Sequence, residues 1–177
     1  LYGVQADGGD GLVRVDLPAG RMGILSQPGV LTMHGHGQAP VHRGKFIRDA
    51  FLCLSDPAPA PPNEIEALPT FEGESMRSKA EKRMAARDEG CAGCHSMMDG
   101  LGLAFDNFDS LGRYRSEDEF GNALNGAAEI QYTKTTDGAV NGVGELAQQL
   151  ASSEEVNGCV SVQFFRYAFA RLTGTSD

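Results

Sequence analysis

The sequence predicts one mainly α-helical domain with long loops and a small β-hairpin. Three features lead there. Apolar residues recur with a helical period around 41–54 and again over 145–171, strong helix formers fill 75–89, and 23 Gly with 8 Pro among 177 residues keep the connecting segments long. A chain of this length supports a single domain, 1–177, with a real core.

Residues 1–40 alternate short apolar runs with glycine, as in Gly23-Ile24-Leu25 and Met33-His34-Gly35-His36-Gly37, and read as a loop-rich segment. Val41, Phe46, Ile47, Ala50, Phe51 and Leu54 then share one helical face, with Pro40 near the first turn, where its missing N–H costs nothing. The spacing predicts a helix over 41–54. The Pro-rich connector 57–70 stops it, opening with Pro57-Ala58-Pro59-Ala60-Pro61-Pro62, a stiff extended segment read as a spacer. A charged, solvent-facing helix is expected over 75–89, ended by Gly90. Downstream, Arg113-Tyr114-Arg115 and Glu129-Ile130-Gln131-Tyr132 are the candidate strands of the hairpin. Two C-terminal helices follow, the first over 145–150 and the second carrying Val156, Cys159, Val160, Gln163, Phe164, Tyr167 and Arg171. Ser152 and Glu155 have the spacing of a capping box for the second. Its aromatics Phe164, Phe165, Tyr167 and Phe169 fit either the core or the wall of a bound group.

A formal net charge of -9 and the lack of any Lys/Arg stripe exclude nucleic acid as a partner. No apolar stretch approaches the roughly 20 residues of a membrane-spanning helix, so no membrane span is expected. The chain starts at Leu1, as a processed form or a piece of a longer protein would, so the lack of a signal peptide does not bear on compartment. Aromatics make up only 7% and Trp is absent, which leaves a core short of apolar surface that a large planar ligand would supplement.

The chemistry concentrates in Cys91-Ala92-Gly93-Cys94-His95. Two thiols three residues apart add across the two vinyl groups of one porphyrin, and the adjacent His supplies an axial ligand to its iron. This is the attachment pattern of haem c, one covalent group per chain. A zinc site would need a second ligand pair, yet Cys53 and Cys159 are single and distant. A thioredoxin-like dithiol would want a strand before the motif, where a helix is predicted.

For the other face of the iron, His34, Met33 and His36 are the candidate ligands, because the surrounding glycines allow close approach. Met97 and Met98 follow His95 too closely to cross the porphyrin plane, and Met98 is expected to pack on the proximal side. Haem c is attached outside the cytoplasm, and two cysteines remain, so a Cys53–Cys159 disulfide is expected, closing a loop of about a hundred residues.

With these residues in hand, the chain resembles the C-terminal, haem-bearing portion of the planctomycete-type secreted cytochrome c family, whose members are largely uncharacterised. The matching stretches are 23–32, 39–46 with the proline run, 91–95, Met98-Asp99, 105–115 and 166–171. The resemblance implies a cytochrome c-like helical domain, a periplasmic or extracellular location, and an N-terminal remainder of a longer precursor as a partner. Arg113 and Arg115, in the 105–115 block, are the residues expected to hydrogen-bond the haem propionates. The leading expectation for function is single-electron transfer, with the acidic surface favouring a basic redox partner. The rival is a haem enzyme, peroxidase- or oxygenase-like, with an open distal site where His34 or His36 acts as acid and base. A third reading is a haem-bearing interaction module that uses the proline run.

Overall fold

Helix α2, Ala39–Phe51, forms the centre of the fold because its inward stripe carries Pro40, Arg43, Gly44, Ile47 and Arg48, all buried. Pro40 lies in its first turn, as the sequence suggests, but the helix is shorter at its far end than predicted. It stops at Phe51, where the N–H groups of Leu52 and Leu54 turn back to the carbonyls of Ile47 and Arg48 and Cys53 takes a left-handed φ of 50°. The stop is therefore made by this turn and not by the prolines. The computed structural model describes residues 4–5, 8–18, 20–35, 39–54, 71–86 and 91–171. The proline connector, His36 and the proposed Gly90 cap lie outside them.

Among the described residues the order is α1 (Pro28–Met33), α2, α3 (Met76–Ala85), α4 (Cys91–Gly102), β1 (Ala127–Ile130), β2 (Gly138–Asn141), α5 (Gly142–Ala151) and α6 (Glu154–Phe169), with 3-10 turns at Ile24–Ser26 and Leu103–Phe105. The architecture is mainly α with one small antiparallel sheet. Strand β1 pairs with β2 from Ala127↔Asn141 to Ile130↔Gly138, turning Ile130 and Val140 inward. The hairpin thus uses Glu129 and Ile130 but not 113–115. Tyr114 makes only an isolated bridge to Phe108, because 105–115 is shaped as a chain of turns around the Asp109 carboxylate.

Capping follows side-chain geometry rather than the expected register. Ser75 opens α3 by accepting from the Ser78 N–H. At α6 the cap is Ser153, which accepts from Val156 N–H, and not Ser152. Ser152 is used instead to close α5, its N–H reaching Gln148. Glu155 accepts from Lys134 and Thr135 N–H and so pins the loop after β1, which leaves the predicted capping box unformed.

The core gathers Leu31, Ile47, Leu101, Phe105, Ile130, Val143, Leu146 and Leu150 from every layer. Two buried arginines tie the loops to it. Arg43 donates to the carbonyls of Phe105, Phe108, Leu31 and Asp109, and Arg21 donates to those of Ser26 and Gly112. Burial draws Arg43 down to about 10, and it remains charged at neutral pH. The disulfide Cys53–Cys159 joins the end of α2 to α6 across 106 residues. The aromatics of α6 are not core. Phe164, Tyr167 and Phe169 are exposed, and Phe165 packs on Phe169 and beneath Arg171.

Helices α2 and α4 run antiparallel in close contact, the most extensive between elements. A Cβ on Gly44 would collide with the Met98 carbonyl, and one on Gly102 with the Pro40 carbonyl. Gly44→Ala is expected to force the helices apart and lower stability by about 3 kcal/mol in urea unfolding. A Cys53→Ser, Cys159→Ser double variant should lose about 4 kcal/mol in the same assay.

Burial works against Asp109, but hydrogen bonds from Arg113 and Leu111 outweigh it and hold its carboxyl below the ordinary value. A depressed value contributes stability above the unfolded-state titration, lost as pH falls through the folded one. Asp109→Asn should therefore lower the melting temperature at neutral pH and flatten its decline below about pH 4.

Candidate functional site

The first turn of α4 carries Cys91, Cys94 and His95, so the helix itself sets their relative placement. The Cys91 side chain lies outside the described ones. Cys94 is a free, half-buried thiol one residue before the imidazole. Met98 follows one turn later on the same helix, with its carbonyl against Gly44 at the α2 crossing.

His95 is oriented from beneath. Its Nδ1 lies 2.9 Å from Oδ2 of Asp99, four residues on and completely buried, whereas the His95 side chain keeps 22% exposure. The same carboxylate receives a two-pronged bond from Arg83 of α3, Nε to Oδ2 at 2.8 Å and Nη2 to Oδ1 at 3.1 Å. A buried carboxylate is tolerated only when paired, and the planar guanidinium fork supplies the pairing. A carboxylate whose oxygens already accept from a guanidinium acts as an acceptor towards the ring as well, so Nδ1 is placed to donate. The lone pair of the ring is then left on Nε2, the state in which imidazole binds metals.

Arg83 reaches this position because α3 is anchored at its other end. Arg77 donates to Asp106 and to the carbonyls of Leu103, Asn125 and Ala127, while Lys82 pairs with Glu74. Helix α3 therefore lies along α4 as a brace. Its start matches the expectation from sequence, but it ends at Ala85, short of the predicted 89, and its charged face is not left to solvent, because Arg77 and Arg83 turn to Asp106 and Asp99.

The remaining candidates sit on other elements. His34 caps α1 and stacks on Phe46 of α2 with ring centroids 4.3 Å apart. Met33 is exposed at the last turn of α1. Gly35 lies against the Ser110 backbone. Arg113 and Arg115 each pair with a carboxylate of their own loop, Arg113 with Asp109 at 2.7 Å and Arg115 with Glu119 at 3.1 Å. Arg115 also lines, with Arg43, Met76 and Asp106, a cleft of about 470 Å³ at the start of α2. The structure thus brings Cys94, His95 and Met98 onto one helix, and holds His34, Met33, Arg113 and Arg115 elsewhere.

Sequence reasoning passed over Asp99 and Arg83. The i,i+4 spacing of His95 and Asp99 on a helix is a legible sign of contact. Arg83 offers none, since its role depends on how α3 packs. Replacing Arg83 with Ala should leave Asp99 buried without its guanidinium partner and lower stability by about 3 kcal/mol in urea, with most of the loss recovered in the Arg83→Ala, Asp99→Leu double variant.

The family described as PSCyt3, protein of unknown function (DUF1588), matches residues 21–118, a segment that contains α1 to α4 and the 105–115 turns. No curated protein and no solved structure matches the chain.

Proposed function

The chain belongs to the PSCyt3 family, and we propose that it is a periplasmic or secreted c-type cytochrome with one covalent haem, serving single-electron transfer. The observation that carries this reading is the first turn of α4. Two cysteines three residues apart are followed directly by an imidazole whose Nδ1 is committed to a buried carboxylate and whose Nε2 is left as a ligand. The donor chemistry fits the group. Cys91 and Cys94 would hold the porphyrin by thioether bonds, and His95 would bind its iron.

Haem bound in this way supplies an iron that passes between ferric and ferrous states one electron at a time. The chain's own contribution is to fix and tune it. Helix α4 sets the spacing of thiol and imidazole, and α2 and α3 both pack against that helix. Asp99 keeps the ring in one tautomer. Support for the compartment comes from the Cys53–Cys159 disulfide, which belongs to an oxidising environment where haem c is also attached. No helix among the described residues is long and apolar enough to cross a membrane. The net charge of -9 favours a basic redox partner.

Expression with a cytochrome maturation system tests the proposal. Mass spectrometry should find the polypeptide plus one haem, retained after denaturation, and a Cys91→Ala, Cys94→Ala variant should show the bare chain. The bare chain from native material would overturn the reading. A low-spin ferric spectrum indifferent to cyanide is expected for the electron carrier, and a high-spin spectrum that responds to cyanide and peroxide would favour the haem enzyme.

A further inference from the structure

The second nitrogen of an iron-binding imidazole meets a carbonyl, a water or a carboxylate, and these differ in how strongly they pull on its proton. In this chain the partner is Asp99, a full negative charge with no exposed surface, 2.9 Å from Nδ1. Low dielectric and exclusion of water make such a contact far stronger than it would be at the surface. Arg83 adds a second constraint. Its fork occupies both carboxylate oxygens, so the carboxylate has a counter-charge other than His95. Oδ2 is shared between Arg83 Nε and His95 Nδ1, and the three groups form one hydrogen-bonded chain from α3 to the ring on α4.

From this geometry we propose that Asp99, clamped by Arg83, is a positioning residue that sets the donor strength of His95 towards iron and holds the reduction potential of the haem low. The inference rests on the haem reading above. The carboxylate pulls the Nδ1 proton towards itself and raises electron density at Nε2. A richer donor stabilises ferric over ferrous iron. Arg83 sets how much of the carboxylate charge the ring feels. One turn of helix separates His95 from Asp99, so the same bond also fixes the plane of the imidazole.

Potentiometric titration of the haem-loaded protein against Asp99→Asn provides the test. The amide oxygen can still accept from Nδ1, so the substitution removes charge while retaining a hydrogen-bond partner. At a fixed ambient potential the oxidised-to-reduced ratio of the variant should fall about tenfold, an upward shift of about 59 mV for a one-electron couple. A folded, haem-loaded Asp99→Asn with the native potential would show that the residue is only structural and overturn the proposal. Should that variant fail to fold, nitrogen-15 NMR of the reduced native protein decides. The expected result is a proton on Nδ1 of His95 that exchanges slowly with deuterium, and an unprotonated Nδ1 or one exchanging as an exposed ring does would overturn the proposal. A native chain that takes up no haem overturns the functional reading itself, an outcome distinct from an unaltered potential in Asp99→Asn.

Discussion

The close antiparallel crossing of α2 and α4 is the constraint on which the rest of the structure depends. Backbone meets backbone there, Gly44 against the Met98 carbonyl and Gly102 against that of Pro40, with no space for a Cβ at either glycine. Such contact brings Ile47 and Leu101 into one core and lets Asp99 be buried completely. Everything asked of His95 follows from it, because the residue that orients the ring lies next to Met98, on the part of α4 that the crossing holds.

A core with no Trp needs other means of tying its parts together, and arginine supplies them. Arg43 collects four carbonyls from α1 and the 105–115 turns, Arg21 joins the Ile24–Ser26 turn to Gly112, Arg77 fastens α3 to the loop before β1, and Arg83 meets Asp99. Each guanidinium donates to several acceptors at once, which one aliphatic side chain could not do. The 105–115 block, which looks chemically mute as sequence, is the surface that three of these arginines hold, for Arg77 also bonds Asp106. Its own Arg113 and Arg115 are engaged by Asp109 and Glu119 within the same segment.

Much of the fold was legible along the chain, and the misses lie at the ends of elements and in turns. The period of Val41, Phe46, Ile47 and Phe51 marks α2 correctly, yet the end of that helix depends on a left-handed turn at Cys53 rather than on the prolines. Ser152 and Glu155 have capping-box spacing, but α5 takes Ser152 for its own end and the loop after β1 takes Glu155. Tyr114 looks like strand, and the Asp109 turns use it otherwise. Glu155 is drawn away by a loop far along the chain, whereas the end of α2, the close of α5 and the Asp109 turns are settled by hydrogen bonds within a few residues that compete with the regular element.

What the sequence determined by itself is whatever needs only neighbours along the chain. The cysteine and histidine spacing at 91–95, the helical stripes, the acidic charge and the parity of Cys53 and Cys159 are of this kind. Only the tertiary structure decided that Arg83 stands opposite Asp99, that Arg43 ties α1 to the 105–115 turns, and that Phe164, Tyr167 and Phe169 of α6 face outwards. The physical reason is that a buried charge is acceptable only beside its complement, and complements are chosen by packing, which joins elements whose distance along the chain carries no signal.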